Sequence, residues 1–442
     1  MSATTPVTAA PIAGPPLAAG RSAARTKMII GLAMVVIGLY GLWAFGLGSR
    51  TGDGAQSLLG LKIDPNSTGG LSPLKFPAQP VAIALSLISV LCGLGRAFAP
   101  AGSRIGSSKT AERWLTVGYF VGFIGAFLVW AVAGSSIGLN VPSVIDQTLL
   151  AAVPLILGAL SGVLCERSGV VNVAIEGQFL FGAFAAAMAA TMTGSVWAGV
   201  AAGMFGGALL GALLAVLANR YLIEQVVLGV VLNLFASGLT GFLYDRLMSA
   251  NGTEYNQPAI LSQLNIPGLS KIPIIGPVFQ NNILFYAAFI LVPVVWYMLY
   301  RTRWGLRTRA VGEHPLAADT VGIKVLGLRY QNVIVGGLLS GLGGVWLTVG
   351  DTGAFGKDMS NGKGYIALAA LIVGRWSPVG AMGAAILFGF ATELNLALSS
   401  LGTPIPGAFL SMAPYLATIL VVASLGGLVR PPAAENKPFR KG

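Results

Sequence analysis

Two carboxylates stand where carboxylates are expensive. Glu176 and Glu393 lie within apolar runs, and a carboxylate at the centre of a bilayer costs about 2.5–3.5 kcal/mol even on lenient insertion scales. Asn172, Gln178, Asn233 and Asn395 occupy similar settings. Groups of these types can line a path for a polar solute, relay a proton, or hydrogen-bond between helices and hold a bundle together. For any one amide the packing role is favoured. Glu176 differs, because it follows the interrupted stretch Cys165-Glu166-Arg167-Ser168-Gly169, and broken helices in membranes mark transporter binding sites. These six residues are the candidate substrate path.

Other chemistry finds no support, and no catalytic residue is assigned. His314, the only histidine, sits beside Pro315 in a basic stretch with no partner nucleophile, and reads as a solvated loop residue. Cys92 and Cys165 lie singly in apolar runs, with neither metal spacing nor a disulfide framework. No metal site is expected, and no cofactor bound by this chain. A phosphate-binding G-x-x-x-x-G-K-[ST] loop is absent: Gly356-Lys357 and Gly362-Lys363 lack the upstream glycine. If ATP drives the protein, a partner subunit hydrolyses it.

The elements carrying these residues are membrane spans. Hydrophobic residues make up 55% of the 442 and charged residues 10%, against about 25% charged in globular chains. Twelve apolar runs are read, near 28–48, 79–99, 114–134, 147–165, 170–192, 196–219, 226–246, 283–300, 331–350, 364–375, 379–398 and 409–429. The fold class is therefore an all-α polytopic transmembrane bundle of about 12 spans. The run at 364–375 is too short to cross alone, and 165–178 is interrupted; for each, a full crossing and a half-helix or re-entrant turn are both open. Twelve crossings from a cytoplasmic N-terminus put 20 of the 27 Lys and Arg residues on the inside, which predicts cytoplasmic termini. The net charge of +12 lies in short clusters between runs, so no nucleic-acid partner is expected, only membrane lipid. Residues 1–27 read as a disordered cytoplasmic tail before an uncleaved first span. Many of the 61 glycines fall at small-xxx-small spacing, such as Gly207 with Gly211 and Gly337 with Gly341, which predicts close helix packing.

Three blocks carry a resemblance. Glu166-Arg167-Ser168-Gly169-Val170-Val171-Asn172 with Ile175-Glu176-Gly177 is the first. Gly305-Leu306-Arg307 through Arg309-Ala310-Val311-Gly312-Glu313, then Ala317-Ala318-Asp319 and Val321-Gly322-Ile323, is the second. Gly364 to Ala370, continuing into Gly374-Arg375-Trp376-Ser377-Pro378, is the third. In this order they resemble the integral-membrane permeases of bacterial ABC importers, in the branched-chain amino acid, ribose and simple-sugar superfamily. Gln225-Val226-Val227 with Leu232-Asn233-Leu234 is similar to the nucleoside-type branch.

The resemblance implies a permease subunit importing nucleosides or related simple sugars across the bacterial inner membrane. Its implied partners are an ABC ATPase subunit, a second permease subunit and an extracytoplasmic substrate-binding protein. It further implies that Arg309, Gly312, Glu313, Ala317, Ala318, Gly322 and Ile323 form the ATPase coupling loop. The permease core is drawn at 113–430, with a two-span extension at 28–112 and a cytoplasmic tail at 431–442. A proton-coupled secondary transporter is the alternative, and a membrane scaffold without a path is a third reading.

Overall fold

The computed structural model describes residues 17–48, 50–52, 55–61, 72–98, 108–135, 138–401, Phe409, Met412 and 430–440. The expected span at 409–429 lies almost wholly outside the described residues, as do residues 1–16 of the expected tail. The chain divides into two compact units, Met1–Gly60 with Ser72–Leu139, and Leu61–Leu71 with Asn140–Gly442.

The first unit packs three helices, α1 (Leu17–Gly41, running on through a π-wound turn at Leu42–Gly46), α2 (Ala78–Phe98) and α3 (Lys109–Val132). Gly31 faces Ala97, Gly38 faces Val90 and Gly93 faces Val35, so α1 and α2 run antiparallel. A Cβ on Gly31 would stand 2.5 Å from the Ala97 nitrogen, an approach that only a missing side chain permits. Gly122 brings α3 to within 2.6 Å of the Leu85 carbonyl oxygen and Ser89 Oγ by the same measure, and Gly118 and Gly125 face the Cys92 and Leu85 side chains at 3.0 and 3.2 Å. At one end Glu112 pairs with Lys27 and Arg96, at 3.1 and 3.2 Å. A hairpin of β1 (Gln56–Gly60) and β2 (Leu74–Pro77) lies ahead of α2, with Gln56 opposite Pro77 and Leu59 opposite Leu74. This unit includes α3.

The second unit is built on two long, enclosed helices. These are α4 (Val141–Arg167) and, further along the chain, α11 (Val325–Val345, continuing π-wound through Trp346–Thr352). Each has 83% of its most apolar stretch buried, against 33% for α8 (Ile283–Arg301) and α13 (Pro378–Ser400). Between them in sequence come α5 (Ile175–Thr193), α6 (Val196–Asn219), α7 (Gln225–Leu243), α9 (Arg303–Glu313) and α10 (Pro315–Thr320). The glycine spacing works as expected: a Cβ on Gly207 of α6 would stand 2.3 Å from the Gly337 carbonyl oxygen of α11. Gly211 approaches Val333, so the two helices run antiparallel with backbones touching.

Ten helices among the described residues are long and apolar enough to cross a membrane; of the other two runs expected, 409–429 lies almost wholly outside the described residues and 364–375 is a shorter helix. The short run at 364–375 is α12 (Lys363–Val373), 11 residues long, hence about 16 Å at 1.5 Å per residue. That is about half a bilayer's hydrocarbon core. The rest of this passage, 353–362, is non-helical. It starts beside the long loop after α7, where Phe355 and Asn256 exchange hydrogen bonds of 2.7 and 2.9 Å. It finishes beside Arg167 at the other end of α4, where Arg167 Nε donates to the Trp376 carbonyl at 2.9 Å. A loop plus a half-helix therefore covers the distance of one span.

Candidate functional site

The break after α4 begins at a left-handed glycine. Gly169 has φ +87°, a conformation that costs glycine little and L-residues much. Residues 168–174 then run non-helically, and all but Val173 are buried. Irregular backbone at membrane depth persists only where its polar groups find partners, and the side chains singled out from sequence supply them. Gln225 Oε1 accepts the Val171 N–H at 2.7 Å, and Asn233 Nδ2 donates to the Val173 carbonyl at 2.9 Å. Asn233 Oδ1 also accepts from Gly177 N, at 2.8 Å. Asn172 Nδ2 reaches Ser161 Oγ and Gln178 Oε1, each at 3.1 Å.

Glu176, in the first turn of α5, holds the other irregular segment. Its Oε1 accepts from Ser360 Oγ at 2.6 Å and Gly362 N at 2.7 Å; its Oε2 accepts from Gly364 N at 2.6 Å. The carboxylate thereby caps α12 from another helix, against unpaired N–H groups and the positive end of the helix dipole. Hydrogen bonds to a charged group contribute about 1.5–3 kcal/mol each. The far end of α12 is held by the same break. There Trp376 Nε1 donates to the Glu166 carboxylate, while Arg167 binds the carbonyls of Arg375 and Trp376. One interrupted segment thus grips both ends of one half-helix.

Asn172, Glu176, Gln178 and Asn233 lie close together, buried and engaged with the protein. Glu393 and Asn395 do not join them. They lie half-buried on α13, one turn beyond Gly389, which packs on Thr148 and Ala152 of α4. The groups facing outward beside the cluster are different ones. Tyr365 is 47% exposed and its hydroxyl accepts from Asn233 Nδ2 at 3.1 Å. Ser237 of α7 donates to Asp358 at 2.6 Å, and Lys357 pairs with Asp245 at 2.6 Å. Beside them, apart from their own helix, no atom among the described residues lies within 4 Å of where a Cβ on Gly238 or Gly241 would stand. Lys357 and Asp358 escaped the sequence reading because they lie in a segment without periodicity, whereas Ser237 and Tyr365 sit on α7 and α12, where nothing local marks them. The available signal was Gly362 and Gly364 ahead of a short apolar run, backbone donors that a buried carboxylate needs.

The basic stretch folds as two short helices across the Arg167 end of α4. Gly312 of α9 packs so closely that a Cβ would stand 2.2 Å from the Arg167 carbonyl oxygen. Arg309 lies over the Tyr300 ring at 5.1 Å, and Asn332 Nδ2 donates to Thr308 at 3.2 Å. Ala318 is buried with Val311 and Val325, and Ile323 is half-buried against them. Glu313 and Ala317 are exposed, as is Gly322, which has φ +82°. Leu306, Leu316 and Val321 are 61%, 61% and 75% exposed. His314 is exposed, as its sequence setting suggested. Among the described residues no group of His, Cys, Asp or Glu could hold a metal ion.

Residues 144–425 match the family described as branched-chain amino acid transport system / permease component. The chain is 39% identical to the guanosine ABC transporter permease protein NupQ of Bacillus subtilis, covering 68% of this chain and 97% of the relative. It is 37% identical to the nucleoside ABC transporter permease protein NupC of Lactococcus lactis, covering 67% and 96%. The putative glucose ABC transporter permease protein TsgC13 of Haloferax volcanii is 33% identical, over 63% and 90%. No solved structure matches. With its clamped half-helix, its apolar spans and this match, the chain belongs to the family of branched-chain amino acid transport system permease components.

Proposed function

We propose that this chain is a permease subunit of a bacterial ATP-driven importer for nucleosides or related simple sugars. The mechanical linkage carries the reading. Gly312 of the surface segment rests on Arg167, Arg167 holds one end of α12, and Glu176 holds the other. A push on the surface segment therefore reaches the 357–362 loop through groups in direct contact. The segment Arg303 to Ile323, with Leu316, Ala317 and Val321 outward, is the contact for a separate ATPase subunit. Ser237, Asp358 and Tyr365 form the path wall, because exposed polar groups at membrane depth do not face lipid. Asn172, Glu176, Gln178 and Asn233 shape that wall from behind. A second permease faces this side of α7, an extracytoplasmic receptor delivers the solute, and the 301–329 end and both termini are cytoplasmic. The nucleoside assignment follows the relatives' names, with a glucose permease among them keeping sugars in view. Proton-coupled transport is less well supported, since Glu176 already accepts three donors.

Uptake of labelled guanosine, uridine, ribose and glucose into vesicles tests this. Uptake is expected only with ATPase, second permease and receptor present, and is unaffected by an uncoupler at constant ATP. Transport by the isolated chain, or its collapse with the uncoupler, would sink the reading.

A further inference from the structure

Residues 430–440 do not trail away from the protein; they lie across its 301–329 end. Ala434 N donates to the Gly312 carbonyl at 2.9 Å, and Ala433 N to Glu313 Oε2 at 3.3 Å. Asn436 Nδ2 donates to Glu224, just ahead of α7, at 2.9 Å. Arg329 of α11 donates to the Lys437 carbonyl at 3.0 Å. The Ala434 carbonyl oxygen lies 3.1 Å from where a Cβ on Gly169 would stand, which sets it against the break after α4. Phe439, 5% exposed, completes the cluster of Val311, Ala318 and Val325. A cavity of about 430 Å³ opens beside it, bounded by Asp319, Gly322, Lys324 and Phe439.

We propose that residues 430–440 form a strap that transmits movement of the α9–α10 segment to the broken segment at 168–174, with Phe439 as its positioning residue. The proposal rests on the coupling role given to α9 and α10 above. A tilt of α10 moves Phe439 through Ala318, and the strap carries that displacement to Gly312, Gly169 and α11. The strap is held together by a turn at 433–436, where Glu435 N donates to the Pro432 carbonyl at 3.0 Å and Lys437 N to the Ala434 carbonyl at 3.2 Å, so a displacement at one end is carried along it. The seat is also built to shift. Arg329 is fully buried, yet its Nε and Nη2 have no hydrogen-bond partner among the described residues. A buried donor left unsatisfied costs free energy, and more when it is charged, which lowers the net stability of the docked strap.

The test uses the full complex, with ATPase and second permease, in lipid nanodiscs and vesicles. In Phe439→Ala the ATPase subunit stays bound and hydrolysis stays within about twofold of wild type, while solute moved per ATP falls about tenfold. Phe439→Leu restores most of it. Amide exchange at 168–174 rises together with exchange at 318–325, which a purely local packing role would not produce. Unchanged solute per ATP, loss of transport merely in proportion to lost ATPase subunit, or faster exchange confined to 318–325 each overturns the strap. Should Phe439→Ala fail to reach the membrane, Asn436→Ala, an exposed change, must lower solute per ATP in the same direction; no change overturns the proposal. Ala317→Arg separates the two readings: if it leaves the ATPase bound, the coupling assignment itself is wrong, whatever the strap does.

Discussion

Replacing Glu176 by Gln is the most informative single change in the cluster. The carboxylate accepts from Ser360 Oγ, Gly362 N and Gly364 N at 2.6–2.7 Å. A carboxamide has nearly the same shape but only one acceptor atom, so its NH2 must face either the Gly364 N–H or the Ser360–Gly362 pair. It will turn its oxygen to the pair and leave the Gly364 N–H opposed. Losing one charge-assisted bond and opposing one buried donor costs about 1.5–3 kcal/mol. That is a modest share of a domain's 5–15 kcal/mol of stability, so the protein still folds and the local seat of α12 loosens. By the relation of 1.4 kcal/mol per tenfold, exchange of the Gly362 to Tyr365 amides should quicken about tenfold to a hundredfold. Glu176→Ala, which strips all three bonds, should exceed that and lower the melting temperature as well. Hydrogen exchange followed by mass spectrometry reads the first effect, and uptake in vesicles reads its consequence. Exchange within about twofold of wild type, together with abolished uptake in Glu176→Gln, would refute the reasoning: the carboxyl would then be acting on the solute or a proton rather than on α12.

Three further outcomes follow from the packing. Ala317→Arg, at an exposed site, should release the ATPase subunit without lowering the melting temperature, whereas Ala318→Arg, in the buried cluster with Val311 and Val325, should destabilise the segment; equal melting temperatures would contradict this. Gly207→Leu drives a side chain into the Gly337 backbone, and overpacking of this kind costs about 1–3 kcal/mol, so the variant should melt earlier in detergent; an unchanged midpoint would show that α6 and α11 can separate freely. Burial pushes the Glu435 carboxyl up to about 7, against a hydrogen bond to Glu166 and the charge of Arg167, which pull it down. A carboxyl raised by docking holds its proton in the docked state, so docking weakens as pH rises from the ordinary carboxylate range to about 7 and is level above that. Glu313, Glu224 and Arg329 also face the strap. Exchange of the 432–437 amides, corrected for intrinsic rate, should therefore be faster at high than at low pH in wild type and lose that difference in Glu435→Gln.

Much of this protein follows from local chemistry. Ten of the twelve apolar runs became spanning-length helices, because length and hydropathy are properties of contiguous residues. The glycines at 207, 337 and 341 marked a close helix contact, since absence of a side chain is visible in any register. The polar residues at 172, 176, 178 and 233 marked the place where helices break. What they do there is a matter of distant partners. Glu176 meets Ser360 across 184 positions, and Glu166 meets Trp376 across 210; no periodicity links such pairs. The same holds for Glu393 and Asn395, whose setting in sequence matched that of the cluster but whose helix carries them elsewhere. The half-helix α12 could be recognised as too short to cross. Only its two clamps, brought together by folding, show that it completes a span with the loop before it and links the surface segment to the interior.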